Sequence, residues 1–296
     1  MGDTGMGDST SPLMLRRRLR TELRTARLDS DLTQEQVARA MEWSMSKINR
    51  IEKAKSGISA NDLKVLLPFL GIKDKKRTEE LIELARAARE SPWWSRYKDV
   101  APEKLLELID YESAASAVSQ FEPMFVPGIL QTEEFARAIL QVFYDEKSAA
   151  NRLAAMVDLR TRRRGLLTRE NAPHFSFVLD ESIIHRVVGS PAIMSRQFQH
   201  LASVAELPNV TIQVVPFTAG PHPGMKGPFA VVQFADTPEE NPDENIVFLE
   251  GPHGDIISDD PKETENYLEA FNRITAASLS SSDSVERLLQ AADEMT

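Results

Sequence analysis

The stretch from Thr33 to Lys55, TQEQVARAMEWSMSKINRIEKAK, constrains the fold of this chain more than any other. Thr33, with Gln36 three residues on, has the form of a capping box, in which each side chain satisfies the other's backbone amide. Val37, Ala38 and Met41 then share one helical face, and Ala38 is small enough to let a second helix approach closely. Ser44 suits the N-cap of that second helix, whose buried side is Ile48 and Ile51. Its outward positions are Met45, Ser46, Lys47, Asn49 and Arg50. That is the layout of a helix that enters a DNA groove. Arg50 suits a bidentate bond to guanine and Asn49 one to adenine, while Ser44, Ser46 and Lys47 suit phosphates or base edges. Met45 offers one apolar contact. Gln34, at the positive end of the first helix, is placed to bond a phosphate. The alternative is a helical hairpin with an ordinary solvated exterior. The flanks favour the first reading: Leu15, Leu19 and Leu23 form a stripe before the pair, and Leu63, Leu66, Leu67 and Leu70 another after it. Together with Ser59 and Asp62 as the box of a fourth helix, they imply a compact all-α bundle over residues 12–73.

The segments TQEQVARAM, SMSKINRIEKAKSG and SANDLKVLLPFLGI resemble the helix-turn-helix domain of phage-repressor-like (XRE-type) bacterial regulators. The resemblance implies that Gln34, Ser44, Met45, Ser46, Asn49 and Arg50 sit where that family meets DNA. Two positions depart from it. The corner usually carries glycine and here carries Glu42, and Ala54 stands where a second glycine is usual. Trp43 is either a plug for the bundle or a ring beside the groove.

A formal net charge of −10 argues against nucleic acid until its distribution is considered. Residues 1–90 carry 18 Lys+Arg against 14 Asp+Glu, and the remainder 17 against 31. Within residues 12–77 the count is 16 against 8. A basic module joined to an acidic body provides the local attraction that phosphates require, because salt screens the field beyond about 10 Å. The chain has no cysteine, so disulfides and thiolate metal sites are excluded. Its first ten residues do not read as a signal peptide, and no apolar run approaches the length of a membrane span, which leads us to expect a cytoplasmic protein.

Residues 1–11 read as a disordered tail. Arg16, Arg17, Arg18 and Arg20 lie on the first helix, facing either phosphates or solvent. Residues 74–101 read as a helical linker ending in the aromatic group Trp93, Trp94 and Tyr97, expected to form an interdomain seam. Residues 102–296 read as a mixed α+β domain. Helices are expected over 102–120, from Thr132, over 148–169, 181–188, 192–207, 261–278 and 284–293. HFSFVLD, VTIQVVPF, PFAVVQFA and NIVFLEG read as strands, giving a sheet of about four. VPGILQTEEFARAIL, the arginines from Arg160 to Arg163, VLDES, VVPFTAG, KGPFAVVQF and VFLEG occur in an order similar to the C-terminal domain of antitoxin-like actinomycete regulators. That resemblance implies a homodimeric regulator answering to an effector or to a small protein partner encoded nearby. It implies no catalytic residues.

Chemistry is sparse in this body. Glu181 and His185 have a spacing that can hold a metal, without an evident third ligand. The other histidines are His174, His200, His222 and His253. Asp180 and Glu181 are paired carboxylates at a strand end, or simply an acidic first helical turn. No nucleophile elbow, P-loop or dinucleotide fingerprint is present. The 218–228 loop, with three prolines and three glycines around it, suits a lid, a grip on a partner or a plain connection. The Arg160–Arg164 cluster suits an anionic effector or the acidic surplus of its own domain. The expectation is therefore a DNA-binding transcriptional regulator, not an enzyme, with no cofactor and no metal. It would bind double-stranded operator DNA as a dimer and have no membrane partner. An antitoxin-like sequestering protein, or an enzyme fused to a DNA-binding bundle, are the alternatives.

Overall fold

A computed structural model describes residues 12–54, 56–89, 91–144, 146–234, 245–251 and 254–295. The expected tail over residues 1–11, Lys55 and His253 lie outside them. The chain divides into two units, Met1–Ser95 and Arg96–Thr296.

The first unit is helical: α1 (Pro12–Asp29), α2 (Gln34–Ala40), α3 (Met45–Glu52), α4 (Ala60–Phe69) and α5 (Lys75–Ala87). Each start after α1 is specified locally. Thr33 and Gln36 form both halves of the expected capping box, and Ser44, Ser59 and Asp74 each accept a backbone N–H of the first turn. Leu19 and Leu23 of α1, Val37 and Ala38 of α2, Ile48 and Ile51 of α3 and Leu63, Leu66 and Leu67 of α4 close one core. The helix expected as a bridge contributes to it as well: Leu81, Ile82 and Ala85 of α5 are buried in the same cluster, and Arg77 pairs with Glu22 of α1.

The second unit is built on a sheet of six strands, not about four. They are β1 (Ala117–Glu122), β2 (His174–Asp180), β3 (Val210–Val215), β4 (Phe229–Gln233), β5 (Ile246–Leu249) and β6 (Ile256–Ser258), in the order β3-β2-β1-β4-β5-β6. The first three are parallel and the last three join antiparallel. The four strands expected from sequence are β2 to β5. The additional ones are β6, only three residues long, and β1, which the sequence reading placed in the tail of a helix over 102–120. That helix, α6 (Glu103–Ala114), stops six residues earlier. The strand AVSQFE lacks both a run of β-branched residues and a polar-apolar alternation, because it lies inside the sheet and is covered on both faces. Helices α7 (Glu133–Leu140) and α8 (Glu146–Arg163) carry the chain from β1 to β2, and α9 (Ser182–His185) and α10 (Pro191–Val204) carry it to β3. On one sheet face Phe121, Val178, Phe229, Val231 and Val247 pack with Phe271 and Ile274 of α11 (Pro261–Ala277). The last helix, α12 (Ser281–Glu294), lies against α10 and β3. No helix among the described residues is long and apolar enough to cross a membrane.

Candidate nucleic-acid interface

The chain turns between α2 and α3 through Met41–Trp43, and Glu42 adopts φ +55° there. The departure from glycine therefore falls in the left-handed region, where a β-carbon is disfavoured. Ala54, the second departure, has φ +54° just beyond α3. Both ends of α3 thus retain a backbone path that glycine would follow more easily.

Buried Ile48 and Ile51 hold α3 on the bundle. On the opposite side Ser44, Met45, Ser46, Asn49 and Arg50 are exposed. Met45 is 48% accessible, a large apolar side chain presented to solvent in the middle of a polar surface. Lys53, at the C-cap, is exposed too and continues the i, i+4 row from Asn49. It was absent from the sequence-derived set, although that spacing identifies it.

Two expected contact residues are engaged within the bundle. The Lys47 ammonium lies 3.2 Å from Asp62 and 4.0 Å from the Trp43 ring centroid. Trp43 itself is half-buried against the core. Gln34 donates its Nε2 to Glu52 at 2.7 Å. Glu52 is the centre of a network that the sequence did not reveal. Arg27 of α1 meets both its oxygens, Nε to Oε1 at 2.6 Å and Nη2 to Oε2 at 2.9 Å, and donates Nη1 to the Leu32 carbonyl at 2.8 Å. This buried fork ties the last residue of α3 to α1 and to the first residue of α2. It fixes the angle at which the exposed face of α3 is offered. A partner 25 positions away lies beyond any local pattern, so only the folded arrangement identifies it. Of the arginines of α1, Arg17 and Arg20 are buried and Arg18 is exposed.

In the second unit, Glu181 and His185 approach to 3.6 Å, but Glu181 also accepts the Phe217 amide at 2.7 Å. Asp180 lies 3.6 Å from His222 and accepts the Ser182 amide at 2.9 Å. The acidic pair thus fastens the start and middle of the segment from Phe217 to Lys226, and Gly224 in that segment lies so close to the Phe121 ring that a β-carbon would overlap it. Among the described residues no group of three His, Asp or Glu side chains could hold a metal ion.

Residues 18–81 match a family described as helix-turn-helix domain, and residues 105–290 match one described as domain of unknown function (DUF5753). The first match spans α2 and α3 together with most of their supporting helices, and the second covers well over half of the chain, including all six strands. No curated protein and no solved structure matches the chain.

Proposed function

We propose the following from the premise that the chain belongs to the DUF5753 family and carries a helix-turn-helix domain ahead of the family's region: it is a sequence-specific transcriptional regulator. The observation that carries this reading is the face of α3, where Met45, Ser46, Asn49 and Arg50 stand exposed together on a helix locked from behind by Ile48, Ile51 and the Arg27–Glu52 fork. Arg50 and Asn49 read base edges, Ser44 and Ser46 bond phosphates or bases, and Met45 packs against a thymine methyl or sugar. Lys47 and Lys53 supply local positive charge. Gln34 acts mainly by positioning Glu52, its carbonyl oxygen remaining available to a bridging water. The XRE-type motifs around this bundle support the same placement.

A regulator of this kind reads a near-palindromic operator as a homodimer in the cytoplasm, with recognition helices about 34 Å apart. The second domain, here assigned to sensing rather than catalysis, controls that binding. The test is selection of bound fragments from random and genomic DNA, followed by titration of Arg50→Ala. The variant is expected to lose about 1–3 kcal/mol at the selected site and less at unrelated duplex. An equal loss on both would remove Arg50 from base reading, and failure to select any fragment would remove the regulator.

A second reading, in which the main role is antitoxin-like capture of a small protein, is favoured by the fastened 217–226 segment. It presents Phe217 at 59% and Met225 at 73% accessibility. Copurification of a small neighbouring gene product, lost in Phe217→Ser with Met225→Ser, is its expected outcome.

A further inference from the structure

The two edges of the six-stranded sheet end differently. At one edge Val214 of β3 spends both backbone groups off the sheet: its N–H donates to Ser284 Oγ at 2.9 Å, and its carbonyl accepts the Leu279 N–H at 2.9 Å. Gln213 beside it donates Nε2 to the Leu279 carbonyl at 2.8 Å. With α12 lying against this strand as well, that edge is closed. At the other edge β6 pairs only with β5 among the described residues. Exposed edges are commonly guarded by a lysine or a proline. The strand Ile256-Ile257-Ser258 contains neither. It is also short, so it offers few outward backbone groups, and side chains decide what can add there.

The register shows that an apolar row is cut off at this edge. Phe121 pairs with Phe229, Phe229 with Leu249 and Leu249 with Ile256, so the four side chains lie side by side on one sheet face. The first three belong to the core beneath α11. Phe229 is 4% accessible, whereas Ile256 is 58% accessible. The row therefore runs out into solvent, where one more strand would continue it. The charge around it has one sign. Asp255 precedes the strand, Asp259 and Asp260 follow it, and residues 250–265 hold six Asp+Glu against one Lys. Burial raises the Asp255 carboxyl above its usual range. Burial and then Asp255 raise that of Glu250, against the pull of Arg160 and Arg163. Carboxylates are thus crowded at this end of the sheet.

We infer that the outer edge of β6 receives a strand from a different protein, one with a short β-branched core flanked by Lys or Arg. Its backbone continues the ladder from β5 through β6, its core extends the row beyond Ile256, and its cations meet Asp255 and Asp259. An open edge alone would accept any strand, and acidic groups alone any cation. Only a basic strand satisfies both. A second copy of this chain does not fit, because two β6 strands paired antiparallel about Ile257 set Asp255 opposite Asp259 at both ends. Like charges directly opposite destabilise such a pairing.

The inference uses no residue of α3 or of the 217–226 segment, and its test contains no DNA, so it fails separately from the readings above. A displayed library of random linear peptides is selected on the full chain, and the most enriched peptides are synthesised, labelled and titrated by fluorescence anisotropy. They are expected to carry Val, Ile or Thr between Lys or Arg, and to bind more weakly as salt rises. Ile256→Lys, which puts a cation on the edge, is expected to weaken them on the order of 10-fold or more. Asp255→Asn with Asp259→Asn should weaken them about 3-fold at low salt. Ile256→Thr, which keeps a strand-forming shape, should retain part of the binding. The inference is overturned if no peptide is enriched, if the enriched peptides lack basic residues, or if the lysine and asparagine variants, melting like the parent chain, bind with parental affinity. Sedimentation showing a dimer of the parent chain that Ile256→Lys dissociates would also overturn it, by giving the edge to a second copy.

Discussion

Each of the two units contains a buried arginine that grips a glutamate with both oxygens, Arg27 with Glu52 in the bundle and Arg163 with Glu112 in the sheet domain. In the bundle the fork itself takes further partners: Gln34 donates to Glu52, and a third donor of Arg27 meets the Leu32 carbonyl. That network is closed, and its effect is positional. In the sheet domain the fork adjoins Arg160, Glu122 and Glu250, which lie within electrostatic reach of one another and form no ion pair among the described residues. The same device thus ties α3 to α1 in one unit and borders further titratable groups in the other. What separates them is whether, among the described residues, the neighbouring polar groups bond to the fork itself, as Gln34 does to Glu52, or to other groups, as Arg160 does to Gln131 and Glu122 to Gln120.

The largest expected effects come from breaking either fork. Glu52→Ala and Glu112→Ala should each cost about 3–5 kcal/mol in denaturant melts of the full chain, because each leaves a buried guanidinium uncompensated. Apolar replacement of both partners sharpens the contrast. Arg27→Met with Glu52→Leu should recover most of the loss in the bundle. Arg163→Met with Glu112→Leu should recover less, since Arg163 also draws down the Glu122 carboxyl. Equal recovery in the two domains would erase the distinction between closed and open networks.

A smaller effect distinguishes the open network by pH. Burial raises Glu122 above its ordinary range, so the folded state holds a proton that the unfolded chain releases. Stability is then greatest below the unfolded value and falls as pH rises toward the folded one. Glu122→Gln keeps the shape without the titration, and should raise the midpoint of thermal unfolding at neutral pH and flatten its decline from acidic to neutral conditions. A steeper decline in the variant would contradict this assignment.

The smallest expected changes lie at the ends of α3. Glu42→Gly and Ala54→Gly relieve left-handed residues at φ +55° and +54°, and each should stabilise the bundle by about 1 kcal/mol in chemical denaturation. A loss of stability at either position would show that its side chain contributes more than its backbone costs.

Much of the bundle was legible in the chain because its signals are short-range. Thr33 with Gln36, Ser44 and Ser59 act within one helical turn, and the leucine stripes repeat at helical spacing, so helix starts and the buried side of α3 followed directly. The exposed face of α3 was legible for the same reason, being what remains once Ile48 and Ile51 are turned inward. Strand β1 was not. AVSQFE has no periodicity of its own, and it becomes a strand because β2 and β4 satisfy its backbone on both sides. Strand β6, three residues beside β5, likewise depends on its neighbour.

The amino-acid order by itself determined where helices begin, which side of α3 is apolar, and that positive charge gathers in the first third of an acidic chain. Tertiary structure alone decided that Gln34 and Lys47 are held by Glu52 and Asp62, that six strands rather than four share a sheet, and that Glu122 of β1 is buried within electrostatic reach of Arg160 and Glu250. The division has a physical cause. Capping and amphipathic periodicity act over a few residues and leave a mark in the local pattern, whereas ion pairs, strand neighbours and desolvation depend on groups far apart in the chain, whose proximity arises only on folding.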